Sequence, residues 1–357
     1  MEICGIKMND LEKTVCEKYN VKYGVFTGNG TTAMYLAFKA LEMQKKKVVF
    51  PAISCTNPVN AALFAGYEVD FCDVSLDDYT IDTDELEKMM RTGNYGIVVP
   101  THIYGHRYQE KKVRELCDKY KVVLFEDAAQ SFYTGDMDIA VVSFGHTKVC
   151  ETPLGGGMIL TDKKEIEENI RREKEKLTDV NVPGAELFDE YRKRYYDILR
   201  KNTDWNERNR CLKELQLDSK QYFIFDLKDN QKVYDELEQL EKTVTQRREK
   251  ALLYQKMLNH KYVVKPKVDD IFRWRYTFLY EGDREYLLEE ARKRGIDISS
   301  WYLSLAGIYK GEHLKRADEL ENKVVNLWVD KQHSKQQIIE EISCLNRIME
   351  DDYERNQ

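Results

Sequence analysis

Residues 122–158 read VVLFEDAAQSFYTGDMDIAVVSFGHTKVCETPLGGGM, and two apolar runs inside them set the fold. The first run ends in Glu126 and Asp127, so an acid sits where a buried strand should emerge. The second spans residues 139–144 and gives way to His146, Thr147 and Lys148, then to Gly155, Gly156 and Gly157. Short apolar runs bounded by polar residues and glycines predict buried, parallel strands. Two such strands ending side by side would bring Asp127 and Lys148 to one rim, where open α/β sheets take their ligands.

A lone Asp or Lys after a strand is most often a cap or a solvated loop charge. The pair gains meaning from a second stretch upstream, Gly28-Asn29-Gly30-Thr31-Thr32, which opens the helical pattern AMYLAFKALE. Small residues there let backbone N–H groups approach an anion while threonine hydroxyls add donors, although an ordinary turn with an N-cap reads the same. A carboxylate to hold a pyridinium nitrogen and a lysine to form a Schiff base are what pyridoxal 5′-phosphate requires of its protein.

The segments NGTTAMYLA (29–37), FPAISCTNPVNAALFAGYEVDFCDV (50–74), VVPTHIYG (98–105), FEDAAQS (125–131), SFGHTK (143–148) and GGGMILT (155–161) occur in this order. Together they resemble the DegT/StrS family of pyridoxal phosphate-dependent nucleotide-sugar aminotransferases, a branch of the aspartate aminotransferase fold. The resemblance implies an α/β protein of fold type I, with a mostly parallel sheet flanked by helices. It suggests a large cofactor-binding domain over residues 1–250, with a helical extension from about residue 163, and a small α+β domain over 251–357. It carries Gly30, Thr31, Thr32 and Ser143 to the cofactor phosphate, Asp127 to the ring nitrogen and Lys148 to the Schiff base. Cys55 stands where relatives usually stack an aromatic residue on the ring; a thiol can touch the ring but not stack. Gln130 could reach the ring or its phenolic oxygen, or open a helix facing solvent. The implied reaction moves an amino group from L-glutamate to a keto-deoxy nucleotide sugar in two half-reactions of ping-pong type. A branch of the family that dehydrates sugars has a histidine at the lysine position, so Lys148 favours transamination. A homodimer with sites at its interface is the family's expectation.

The 357 residues suffice for a large core plus a smaller unit, and 42% hydrophobic with 33% charged residues fits a globular chain. The net charge of −7, without a free-standing basic block, argues against nucleic-acid binding. No apolar run reaches membrane-spanning length and the first residues show no signal-peptide pattern, so a cytoplasmic protein off the membrane is expected. Eight scattered cysteines without CxxC spacing or adjacent histidines predict reduced thiols and no structural metal.

Elsewhere the spacing predicts helices near 10–19, 58–65 and 83–90 and a strand over 96–105, where His102 either faces the pocket or makes a local hydrogen bond. Residues 163–259 alternate acids and bases at helical spacing, as solvated faces of packed helices do. RWRYTFLYE (273–281) and VVNLWV (324–329) read as strands, EYLLEEARKRG (285–295) and KQQIIEEISCLNRIM (335–349) as helices. Two further departures from the family stand out. QYFIFD (221–226) lacks the asparagine and arginine that relatives send into the neighbour's site. Trp301 and the Trp328–Asp330 segment replace histidines near the substrate. These departures keep two other readings open: another pyridoxal phosphate enzyme (a non-sugar transaminase or a sugar dehydratase), or a non-catalytic cofactor- or sugar-binding protein.

Overall fold

The structure, a computed structural model, describes residues 8–153, 155–177, 184–220, 224–226 and 231–356, with backbone only at 184–188. Its first sheet holds β1 (Tyr23–Thr27), β2 (Lys47–Pro51), β3 (Glu68–Cys72), β4 (Ile97–Val98), β5 (Val123–Asp127), β6 (Ile139–Ser143) and β7 (Gly157–Thr161). They lie in the order β1-β7-β6-β5-β4-β2-β3. Pairings from β3 through β6 are parallel, while β7 runs antiparallel to both β6 and β1. The central strands are buried on both faces, which is why they read as continuous apolar runs rather than alternating ones. This is the expected α/β architecture.

Several elements follow their residues closely. The helix Asp10–Tyr19 begins with a complete capping box, Asn9 with Glu12, and ends at Asn20 in the left-handed region. The helix Thr56–Phe64 starts two residues before the expected one, and Thr83–Met90 matches its expectation, with the Asp82 carboxylate accepting from two first-turn N–H groups. The run 96–105 differs. Only Ile97 and Val98 pair as a strand, because Pro100 has no N–H to give the ladder. Beyond it Thr101 touches β5 through an isolated bridge to Asp127, and Ile103–Gly105 turns as a 3-10 helix.

The second sheet is antiparallel, in the order β10 (Ile298–Ser299), β11 (Val324–Trp328), β9 (Arg275–Tyr280), β8 (Val263–Val264). Helices Arg284–Lys293 and Lys335–Arg355 pack on it, and Leu287, Ile342 and Leu345 share a core with Tyr276, Phe278 and Leu327. The chain passes between its two large cores inside one helix, Leu240–Met257. Leu240 and Val244 belong to the first core, Ala251 and Tyr254 to the second. Segments of the second half also return to the first core: Phe272, Trp274, Leu305 and Leu320 are buried in it. That return brings second-half side chains to the rim of the first sheet. Among the described residues no helix is long and apolar enough to cross a membrane.

Candidate active site

Strands β5 and β6 run parallel with Asp127 opposite Val141, so Asp127 ends one strand beside the strand that leads to Lys148. Alternation along β5 sends Glu126 and Asp127 to opposite faces. Glu126 goes to His102: the histidine Nε2 lies 2.7 Å from its carboxylate, and the histidine Nδ1 lies 3.2 Å from the Tyr133 hydroxyl. His102 is thus fully buried in a hydrogen-bonded network of its own, the local arrangement rather than the pocket-facing one.

The Asp127 carboxylate accepts from the Ala129 N–H at 3.0 Å and, at 3.4 Å, from the Thr101 hydroxyl. Burial pushes this carboxyl above its ordinary range, against the opposing pull of the Ala129 N–H and the Lys148 amine. Lys148 hangs from a tight loop after β6. Its N–H donates to the Gly145 carbonyl at 3.2 Å, and Thr147 before it is left-handed at φ +71°. The Trp274 indole N–H fixes that loop by donating to the Thr147 carbonyl at 2.6 Å. The Lys148 amine lies 5.4 Å from the centre of the Trp274 ring and makes no ion pair among the described residues. Burial lowers its pKa, and only the thiol of Cys55 and the carboxyl of Asp127 pull the other way. Cys55 therefore shares this pocket, as the N-cap position of the helix Thr56–Phe64, with burial raising its own pKa.

Across the rim, Asn29 caps the helix Gly30–Ala40 by accepting from the Thr32 N–H at 2.7 Å. The first turn carries no acid, so the positive end of the helix is left uncompensated. Gly30 is needed by contact: a Cβ there would sit 3.1 Å from the Ser143 Cβ and 3.2 Å from its hydroxyl. Gly157 is tighter still, since a Cβ would come within 2.2 Å of the Asn29 carbonyl oxygen. Gly30 and Ser143 thus meet at one place, with Thr31 and Thr32 buried in the same first turn. The Thr32 hydroxyl accepts from the Phe225 N–H at 3.1 Å, and the Phe225 ring lies against Gly28. Asp226 beside it is 3.5 Å from the Lys174 amine. Residues 221–223 of the departing QYFIFD stretch lie outside the described residues.

Gln130 neither starts a helix nor faces solvent. It is buried in a turn, where its carbonyl accepts from the Tyr104 N–H at 2.7 Å and its amide donates to the Tyr302 hydroxyl at 3.2 Å. Tyr302 approaches the pocket from the second half, and the charges of Cys55 and Asp127 help to push its hydroxyl well above its ordinary range, after burial. Arg275 on β9 lies close enough to lower the Lys148 pKa further. The sequence reading places RWRYTFLYE on a strand but draws no site residue from it. No local motif marks Tyr302 or Arg275, whose proximity to Lys148 comes only from the fold.

A transaminase of Campylobacter jejuni (subsp. jejuni serotype O:2) named for UDP-4-amino-4,6-dideoxy-N-acetyl-beta-L-altrosamine is 29% identical over 177 residues, 47% of this chain and 46% of that protein. The 3-oxo-glucose-6-phosphate:glutamate aminotransferase of Bacillus subtilis (strain 168) is 28% identical over 167 residues, 45% of this chain and 38% of its own length. The chain thus spans about half the length, or less, of the curated relatives it matches. The crystal structure of DesV from S. venezuelae, solved with a ketimine intermediate, superposes with a TM-score of 0.73 at 20% identity, over 95% of this chain and 88% of that one; at such identity the likeness speaks to the fold. The sequence profile of the DegT/DnrJ/EryC1/StrS aminotransferase family matches residues 2–198, which include Gly30, Cys55, Asp127, Ser143 and Lys148. By that match over more than half its length, this chain belongs to the DegT/DnrJ/EryC1/StrS aminotransferase family.

Proposed function

We propose that this protein is a pyridoxal 5′-phosphate-dependent aminotransferase that moves an amino group from L-glutamate to the keto group of a deoxy sugar carried on a nucleotide. One observation carries the reading. A buried carboxyl ends β5, a half-buried lysine hangs from the loop after the neighbouring parallel strand β6, and the end of β6 meets a helix N-terminus with no acid in its first turn. Enzymes of this family use pyridoxal phosphate, and relatives are named for nucleotide-sugar and glutamate transamination.

The residues present suit that cofactor. Asp127 is buried without a contacting cation, a state that a protonated ring nitrogen relieves. The space that a Gly30 Cβ would fill against Ser143 lies at the positive end of a helix, as a phosphate prefers. Asp127 would hold the ring nitrogen, Lys148 the aldehyde carbon, and Gly30, Thr31, Thr32 and Ser143 the phosphate. Cys55 would lie against a face of the ring. Gln130 spends both ends of its amide on Tyr104 and Tyr302, so it would steady the wall rather than grip the ring.

Pyridoxal phosphate held there would supply a carrier for the amino group and a ring to delocalise the electron pair left by proton removal. Lys148 must be neutral to work as a base, and burial lowers its pKa in that direction. Its amine would take the proton from the donor's α-carbon and return it one bond away. Asp127 would hold the proton on the ring nitrogen. The donor would leave as a keto acid before the sugar enters, and the same residues would act in reverse order. In this reading the enzyme is a cytoplasmic homodimer.

The test is the visible spectrum of the protein with pyridoxal phosphate, before and after L-glutamate. The expected result is a yellow band that glutamate discharges and that Lys148→Ala lacks. A band indifferent to glutamate would refute the donor, and absence of any band would refute the cofactor.

A further inference from the structure

The Arg275 guanidinium is the most anomalous charge among the described residues. It is 0% exposed, and its Nε, Nη1 and Nη2 all lack a hydrogen-bond partner. Among the described residues no carboxylate pairs with it. Asp330, two residues beyond β11, acts on it only at a distance, as Asp297 does, and one Asp330 carboxylate oxygen already accepts from His333 at 2.8 Å and from the Gln332 N–H at 2.9 Å. Instead three indoles surround the cation: it sits over Trp328, with Trp274 at 4.6 Å and Trp301 at 5.2 Å. Rings supply some attraction to a cation but no hydrogen-bond acceptor in their plane. Five N–H bonds thus point outward from a buried plane with nothing to receive them. Burial pulls the pKa down only to about 9, so the group stays charged at neutral pH.

A buried, unpaired cation is costly unless something pairs with it in the working state. The planar fork suits a planar two-oxygen anion lying between flat rings, that is, a carboxylate. Position narrows the choice. Trp274 is within reach of both the Arg275 guanidinium and the Lys148 amine, so a ligand engaging Arg275 lies beside the reacting lysine. Trp301 and Trp328 are only half-buried, which makes them the covering that a ligand would displace.

We infer that Arg275, within the Trp274–Trp301–Trp328 cage, is the carboxylate anchor for the amino donor. The donor's identity rests on the function proposed above; the anchor rests on the unpartnered guanidinium. A dicarboxylic donor satisfies the guanidinium on arrival and loses it as the keto acid leaves. The cage then excludes water from the ion pair, which strengthens it.

Glutarate, a dicarboxylate with no amino group, tests this without turnover. Three of the four tryptophans touch Arg275, so intrinsic fluorescence reports the cage. Glutarate titrated into the protein, with and without pyridoxal phosphate, should give a saturable fluorescence change that sodium chloride at equal ionic strength does not. Lys148→Ala should keep that response, so a failure of the aminotransferase reading leaves this result standing. Arg275→Lys should weaken it at least tenfold and Arg275→Gln should abolish it. In the ligand-free protein Arg275→Gln should leave the melting temperature unchanged or raised, because it removes an unpaired charge. Absence of a saturable response in the wild-type protein would overturn the inference, as would a response that survives Arg275→Gln. A melting temperature that falls in Arg275→Gln while Arg275→Lys binds glutarate normally would show a purely structural cation, and would overturn it too.

Discussion

Asp127 and Arg275 are both buried charges with no opposite charge in contact, yet the protein surrounds them differently. Asp127 keeps two local donors, Ala129 and Thr101, and burial raises its pKa, so it can shed its charge by taking a proton. Arg275 has no hydrogen-bond partner and remains a cation at neutral pH, so only an arriving anion can satisfy it. A carboxyl in such a place suits a resident cofactor; a guanidinium suits a ligand that comes and goes. The surroundings differ in origin as well. Asp127 is flanked by residues of its own strand end and of the next segment. Arg275 is enclosed by indoles from the residue before β9, from β11 and from the segment before the helix Leu305–Lys310.

The sharpest way to break this comparison is at Asp127. Asp127→Asn should lower glutamate-dependent turnover about 10²- to 10⁴-fold, because the ring nitrogen loses its charge partner. The same variant should be more stable than wild type when cofactor-free at pH 7. The sign follows from linkage: a carboxyl whose folded pKa lies above its unfolded 3.8 destabilises the fold once ionised, and contributes nothing below that value. The stability difference should therefore vanish as pH falls below 3.8, in thermal melts read by circular dichroism. A destabilised Asp127→Asn at pH 7 would mean that the carboxylate is already satisfied.

The phosphate side of the site can be probed through close approach. Gly157→Ala would drive a methyl group to 2.2 Å from the Asn29 carbonyl oxygen, which cannot move without undoing the N-cap. A loss of about 3 kcal/mol in denaturant titration is expected, together with loss of pyridoxal phosphate binding. The smallest effect belongs to Tyr302→Phe, which removes the acceptor for the Gln130 amide. It should cost about 1 kcal/mol and leave the cofactor spectrum in place, since Gln130 is read as wall rather than ligand.

How much could be foreseen varies along the chain for physical reasons. The placing of Asp127 and Lys148 at one rim was legible because strand ends in parallel sheets lie where the strands stop, and apolar runs mark those stops; Ser143 came from the family resemblance. The Gly30 turn could be singled out only through the family resemblance, because an ordinary turn with an N-cap has the same small residues before a helix. His102 was ambiguous from the sequence: whether a buried histidine meets the pocket or Glu126 depends on which face of β5 each neighbour takes. The strand over 96–105 was overread, since Val98, Val99 and Ile103 are buried without all being paired. Gln130 stayed open in the sequence between contact with the ring and a solvent-facing helix start because its partners, Tyr104 and Tyr302, lie 26 and 172 positions away.

The sequence by itself determined the parallel sheet, the family and the residues at its rim, because each rests on local periodicity or on a short contiguous motif. Only the tertiary structure decided what stands over Lys148. Trp274, Trp301 and Trp328 are separated by dozens of residues of ordinary helix and strand, and nothing local tells a strand tryptophan that it will share one cation with two others. That arrangement comes from the antiparallel pairing of β9 with β11 and from the return of residues 272–274 and 305–320 into the first core. Non-local pairing of this kind leaves no period in the sequence.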